Sequence, residues 1–192
     1  IRLIANTSDS FACRIHRVGV CFIKRAYFVI IHNVSIQIQP KVKTIITDGA
    51  KFIEDTDERY DVAIVDSTDP IGPSKVLFTQ KFYENISRVL NDDGIVIRQT
   101  GSSFLQPNEL SDQYGILKNI FPIVSPMVTA IPTYIGGFFT LIVGSKTVDV
   151  ANFPIAQLDA AYKSAGLESK YYNPGVHFGA FQLPNYIKDS LK

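Results

Sequence analysis

The stretch Asp61-Val62-Ala63-Ile64-Val65-Asp66-Ser67-Thr68-Asp69-Pro70-Ile71-Gly72-Pro73 changes character at one residue. Residues 62–65 are apolar and mostly β-branched, as a strand covered on both faces should be. From Asp66 to residue 77 the chain turns into a loop rich in Asp, Pro, Gly and Ser. The flanks alternate in the same way, short β-branched runs with helical patterns between them, which places the chain in the α/β class. Upstream, Val42 to Thr47 reads as a strand ending at Asp48-Gly49. Downstream, Thr79 can cap a helix running to about Leu90, with Phe82, Ile86, Val89 and Leu90 on one face. Asn91-Asp92-Asp93-Gly94 stops that helix, and Ile95 to Gln99 returns as a third strand. A helix over Asn108–Asn119 precedes strands near Ile123–Ala130 and Phe138–Val143, which read as an antiparallel end to an otherwise parallel sheet. The tail offers a helix from about Phe153 to Ala165, a Tyr171-Tyr172-Asn173-Pro174 turn and a short terminal helix. Val18 to Ile38 is apolar enough for one or two strands, Ile36 and Ile38 alternating with glutamines, but no Gly-rich turn or clear helix marks it.

The composition is that of a globular domain: 192 residues, 46% hydrophobic, 19% charged. A net charge of +1, from 19 basic and 18 acidic residues, lacks the cationic surplus of a nucleic-acid footprint or a polybasic membrane patch. The balance is uneven along the chain. Residues 1–39 hold five basic side chains (Arg2, Arg14, Arg17, Lys24, Arg25) against Asp9, leaving 14 basic and 17 acidic in residues 40–192. The part that reads as folded is thus the acidic part, which suits a cationic ligand. Cys13 and Cys21, the two cysteines, form no metal-ligand pattern and fit the reduced thiols of a cytoplasmic protein. Lys24 and Arg25 split the most apolar N-terminal segment, so neither a signal peptide nor a membrane span is expected there. The chain begins at Ile1 and its single methionine is Met127, which leads to the expectation of a fragment, a processed chain or an incomplete gene model.

In open parallel sheets ligands bind beyond the carboxyl ends of the strands. Asp48-Gly49, Asp66 to Asp69 and Gln99 all fall at such ends. A carboxylate at position 48 can accept hydrogen bonds from an exocyclic amine or a ribose hydroxyl; Asp-Gly is equally at home in a plain strand-end turn. Asp66 and Asp69 can converge on one small volume, where a metal or an organic cation would neutralise them, or form a solvated turn before Pro70. No third oxygen or histidine ligand accompanies them, so no metal is assigned. The two prolines, Pro70 and Pro73, restrict the loop and suit a lid. Tyr134, between Pro132 and Gly136-Gly137, is either a pocket phenol or an exposed turn residue. His16, His32 and His177 lack a partner pattern and receive no catalytic role.

With these residues in order, Tyr60 to Pro73 closely resembles the signature of the spermidine synthases, the polyamine aminopropyltransferases. Phe78 to Tyr83, Asp93-Gly94, Gln99, Ile131 to Tyr134, Lys170 to Asn173, His177 and Phe181 to Pro184 are similar in the same order. The likeness covers about residues 41–192, the C-terminal part of a catalytic domain, and leaves residues 1–40 unassigned. It implies a methyltransferase-like, Rossmann-like α/β fold with a mostly parallel sheet and antiparallel C-terminal strands, truncated at its N-terminal side. It implies aminopropyl transfer from decarboxylated S-adenosylmethionine to putrescine, giving spermidine and methylthioadenosine, without a prosthetic group, in a cytoplasmic homo-oligomer (dimer or tetramer). By the same resemblance Asp66 is the proton acceptor, and Asp66, Asp69, Gln99 and Tyr134 bind the amine. Asp48, Gly49, Ser67 and Pro73 contact the donor. The Gly-rich loop and ribose-binding acid that the family carries upstream are not found in residues 1–40. An inactive remnant or a partner subunit is therefore the alternative expectation, and a methyltransferase on the same fold a further one.

Overall fold

A computed structural model describes residues 19–24, 27–32, 42–45, 47–67, 69–134 and 136–192; for 19–24, 27–32, 42–44 and Pro73 it describes the backbone alone. The alternation expected at Ile36 and Ile38, with Cys13, His16, Thr68 and Ile135, lies outside these residues. Among the described residues, seven strands form one sheet. They are β1 (Gly19–Lys24), β2 (Tyr27–His32), β3 (Val42–Ile45), β4 (Tyr60–Asp66), β5 (Leu90–Gln99), β6 (Ile123–Ala130) and β7 (Phe138–Ser145). Their order across the sheet is β3-β2-β1-β4-β5-β7-β6.

β2–β3 and β4–β5 pair in parallel, while β1 runs antiparallel to both β2 and β4, and β7 antiparallel to both β5 and β6. Five strands therefore point one way, with β1 and β7 reversed between them. The antiparallel C-terminal strands were expected from the sequence; the reversal at β1 was not. β1 and β2 occupy the stretch that carried strand propensity without turn chemistry, and only the two residues between Lys24 and Tyr27 connect them, so they form a hairpin.

The helices are α1 (Gly49–Asp55), α2 (Gln80–Val89), α3 (Pro107–Lys118), α4 (Ile155–Ser164), α5 (Pro174–Ala180) and α6 (Asn185–Ser190). Those over residues 80–89, 107–118, 155–164 and 185–190 follow the sequence patterns, whereas those over 49–55 and 174–180 were not expected from them. Thr79 caps α2, its hydroxyl accepting from the Phe82 amide at 3.3 Å, and Phe82, Tyr83, Ile86 and Val89 bury one face. Burying side chains of this size contributes about 1.5–3 kcal/mol each. α2 packs on β5, and α3 on β6 and β7. Gly144 in β7 permits the latter, since a Cβ there would lie 2.9 Å from Leu117 Cδ2 and Phe121 Cδ2.

Two further segments differ from the sequence expectation. The loop after β4 tightens into a 3-10 helix over Gly72–Phe78, with Pro73 in its first turn. Asn91 to Gly94, expected as a break before β5, belongs to β5 as an irregularity: Tyr60 pairs with Leu90, and Val62 with Ile95. Asn91 Nδ2 donates to Asp61 Oδ1 at 2.8 Å and fastens the bulge to β4. Among the described residues no helix is long and apolar enough to cross a membrane.

Candidate active site

Parallel pairing of β4 and β5 sets Val65 beside Arg98, so Asp66 and Gln99 end their strands side by side. The antiparallel partner β7 begins at the same end: Thr100 donates its amide to the Thr140 carbonyl and Thr140 its amide to the Gly101 carbonyl, both at 2.9 Å. Beyond these ends lies a cleft of about 480 Å³. Asp66, Ser67, Asp69, Gln99 and Tyr134 line it, so residues chosen from three separate stretches of sequence meet in one space.

Asp66 is half-buried, and loss of solvent raises its carboxyl above the usual aspartate range. Ser67 is 3% exposed. Its carbonyl accepts from Gln99 Nε2, and its hydroxyl from Arg98 Nη2 at 3.4 Å. The Gln99 amide thus ties the start of the loop to β5. Asp69 is exposed and held from two directions. Its carbonyl accepts from the Ile71 amide and the Ser74 hydroxyl, both at 2.6 Å, and its Oδ1 accepts from Gln106 Nε2 at 3.0 Å. Tyr134 is 50% exposed, and its ring centroid lies 4.6 Å from that of Phe139, which also lines the cleft. Gly136 and Gly137 follow it with φ of 93° and 72°, the left-handed backbone that turns the chain back into β7.

Asp48 and Gly49 stand elsewhere. Asp48 caps α1, its Oδ1 accepting from the amides of Ala50 at 2.9 Å and Lys51 at 3.1 Å, and neither residue lines the cleft. His177 bonds locally, Nε2 lying 2.9 Å from the Val150 carbonyl and Nδ1 3.4 Å from the Tyr172 hydroxyl, which is a packing role.

Sequence reasoning missed four contributors. Gln106 and Glu109 enter the cleft from the start of α3, and Gly101 forms part of its wall. Pro107 at the first helical position marks that start. The fourth, Arg98, lies behind the cleft at 0% exposure. It donates to the Leu77 carbonyl at 3.0 Å and the Tyr83 hydroxyl at 2.7 Å, so it joins β5 to the 3-10 segment and to α2. The ion pairs among the described residues, Lys51–Asp55, Lys163–Asp159 and Lys192–Asp189, all lie away from this cleft. Its acidic groups therefore have no cation of the described residues within ion-pair distance. Nor does any group of three or more His, Cys, Asp or Glu gather closely enough to hold a metal ion among these residues. Such a site offers spread negative charge, an aromatic wall and half-buried carboxylates: the attributes of a pocket for an organic cation.

Comparison with known proteins bears on the same residues. The spermine/spermidine synthase domain family matches residues 18–153, a span that begins upstream of residue 41 and takes in β1 and β2. A polyamine aminopropyltransferase of Serratia proteamaculans is 41% identical over 160 residues, 83% of this chain and 56% of that protein. The structure of a spermidine synthase in complex with the transition state analogue AdoDATO superposes with a TM-score of 0.71 at 30% identity, covering 79% of this chain and 51% of the other. Human methyltransferase-like protein 13 in complex with SAH shares the fold at 17% identity and a TM-score of 0.52, covering 71% of this chain and 64% of that one. The fold is thus methyltransferase-like, and the chain spans about half the length of the curated relatives it matches. By the matched span and by the likeness to named aminopropyltransferases, this chain belongs to the spermine/spermidine synthase family.

Proposed function

We propose that this chain forms the amine-binding and proton-accepting part of a cytoplasmic polyamine aminopropyltransferase, which moves an aminopropyl group from decarboxylated S-adenosylmethionine to putrescine. The observation that carries the proposal is the half-buried Asp66 at the end of β4, sharing one cleft with Asp69, Gln99 and Tyr134. The chemistry needs such a group. An alkylammonium, with a pKa near ~10 as for lysine, has no lone pair to attack with until it loses a proton. Asp66 takes that proton; the freed nitrogen forms a bond to the carbon beside the sulfonium, the carbon–sulfur bond breaks, and methylthioadenosine leaves neutral. Burial raises the proton affinity of Asp66 and strengthens it as a base, while its charge favours both cationic reactants. Asp69 and Gln99 hold the amine and Tyr134 walls it, while Asp48 and Gly49, which lie outside this cleft, are assigned with Ser67 and Pro73 to the donor. No prosthetic group takes part, and the active assembly is a homo-oligomer.

Incubation with both substrates and detection of methylthioadenosine tests this. Asp66→Asn is expected to lower turnover by roughly 10²–10⁴, and an unchanged rate overturns the assignment of the base.

One observation favours a second reading, a partner subunit that binds amine without catalysis. β1 runs antiparallel to β4, with Gly19 opposite Asp66, so it presents its amino end to the cleft where a donor-binding loop would leave a strand's carboxyl end. Calorimetry with a decarboxylated donor analogue separates the two, heat of binding being expected for the enzyme alone.

A further inference from the structure

We propose that Glu109 is a specificity-determining residue of this cleft, taking the second ammonium group of the acceptor so that diamines are bound in preference to monoamines. The inference rests on the reading of the cleft as an amine site. Glu109 lies in the first turn of α3, three residues after Gln106, on the same side of the helix, and lines the cleft with Asp66 and Asp69. Gln106 is fixed at both ends: its Nε2 donates to Asp69 Oδ1 at 3.0 Å and its Oε1 accepts from the Ser102 amide at 3.3 Å. That bridge sets Asp69 and Glu109 in a defined relation along one wall. Gly101 makes room for it, because a Cβ there would lie 3.3 Å from Glu109 Oε2.

No ion pair among the described residues holds the Glu109 carboxyl. Arg98 is the buried cation nearby, yet its guanidinium donates to Leu77, Tyr83 and Ser67, and no ion pair joins it to Glu109. Burial raises the Glu109 carboxyl; Arg98 draws it down and Asp69 pushes it up, so the two cleft carboxylates feel each other. A bound cation relieves that repulsion. The carboxylates are spread along the cleft and do not converge as a metal would need. A ligand with two separated ammonium groups satisfies the arrangement: one sits at Asp66 for proton removal, the other at Glu109.

Titration calorimetry of the chain with 1,4-diaminobutane and with butylamine tests the assignment. The parent is expected to bind the diamine at least about tenfold more tightly than the monoamine. Glu109→Gln is expected to weaken diamine binding about tenfold and leave butylamine within about twofold, with Glu109→Asp recovering part of the loss. A Glu109→Gln variant that binds the diamine as the parent does, while Asp69→Asn weakens it, overturns the role of Glu109 and leaves the amine site standing. Absence of binding of either amine to the parent overturns the amine site itself. Should Glu109→Gln not fold, diamine binding by Glu109→Asp equal to the parent's overturns the role.

Discussion

The guanidinium carbon of Arg98 lies 3.6 Å from the ring centroid of Phe78, so a fully buried cation on β5 rests against the last residue of the 3-10 segment that borders the cleft. The contact is a stack as well as a charge: a planar guanidinium can lie on an aromatic face and still donate in its own plane, to Leu77 and Tyr83. Strand, 3-10 segment and α2 thereby meet at one side chain. Arg98 thus braces from behind a loop that its own Ile71 and Ser74 bonds to Asp69 already shape.

Truncation at this point should be costly. Arg98→Ala leaves the Tyr83 hydroxyl and Leu77 carbonyl without their donor and opens a cavity, with an expected loss of about 2–4 kcal/mol in urea unfolding. Arg98→Met keeps the buried stem, and since Arg98 Nε already lacks a partner, its loss should be smaller than that of alanine. Arg98→Lys keeps the charge without the plane and should not restore parental stability; full restoration would show that charge alone matters.

Asp66 links activity and stability through pH. Burial raises its folded pKa above the unfolded value, so the folded state is not penalised below the unfolded pKa, and stability is lost as pH rises through the folded pKa. Asp66→Asn should therefore be more stable than the parent at neutral pH, with the difference vanishing near pH ~3, below the ordinary aspartate value of ~3.9. The base works ionised, so the acid limb of the rate profile should lie above ~3.9. Thermal melts across pH and rate profiles read the two effects independently. A variant less stable than the parent at neutral pH would contradict the sign.

How legible the molecule is in its sequence depends on where each signal is written. β4 and α2 could be read because apolar periodicity and the Thr79 cap are local. Asp66, Asp69, Gln99 and Tyr134 could be located because they sit at strand ends or turns, which the fold class brings together. β1 and β2 could not be paired, because the two residues between Lys24 and Tyr27 carry none of the glycine or asparagine that marks tight turns. Arg98 reads as an outward charge on a strand, and only the packing of Phe78 and Tyr83 shows it buried. Glu109 reads as an ordinary first-turn acid of α3, favourable to the helix dipole, and its place in the cleft follows from the turn over residues 101–106 that leads into α3.

That turn can be tested at Gly101. Its φ is 72°, and a Cβ would lie 2.4 Å from Gln106 Oε1. Gly101→Ala should cost about 1–2 kcal/mol of backbone strain. It should also displace Gln106 from Asp69 and weaken diamine binding about tenfold, the worth of one charge-assisted hydrogen bond. Gly166→Ala incurs the same strain at φ 58°, outside the cleft, and should leave amine affinity unchanged. Equal amine affinity in both variants would remove Gln106 from the site.

Tyr134 provides the last separation, between ring and hydroxyl. Half-exposed beside Phe139, with ring centroids 4.6 Å apart, it presents an aromatic face to a cleft whose charged groups are acidic. An alkylammonium drawn in by those acids can lie against that face, a contact worth roughly 0.5–2 kcal/mol according to how far water is excluded. Tyr134→Phe keeps the ring and should bind diamine within about twofold of the parent, whereas Tyr134→Ala should weaken binding about tenfold. Calorimetry distinguishes the alternatives. Equal losses in both variants would assign the role to the phenol oxygen, and no loss in either would make Tyr134 a turn residue whose position follows from Gly136 and Gly137 alone.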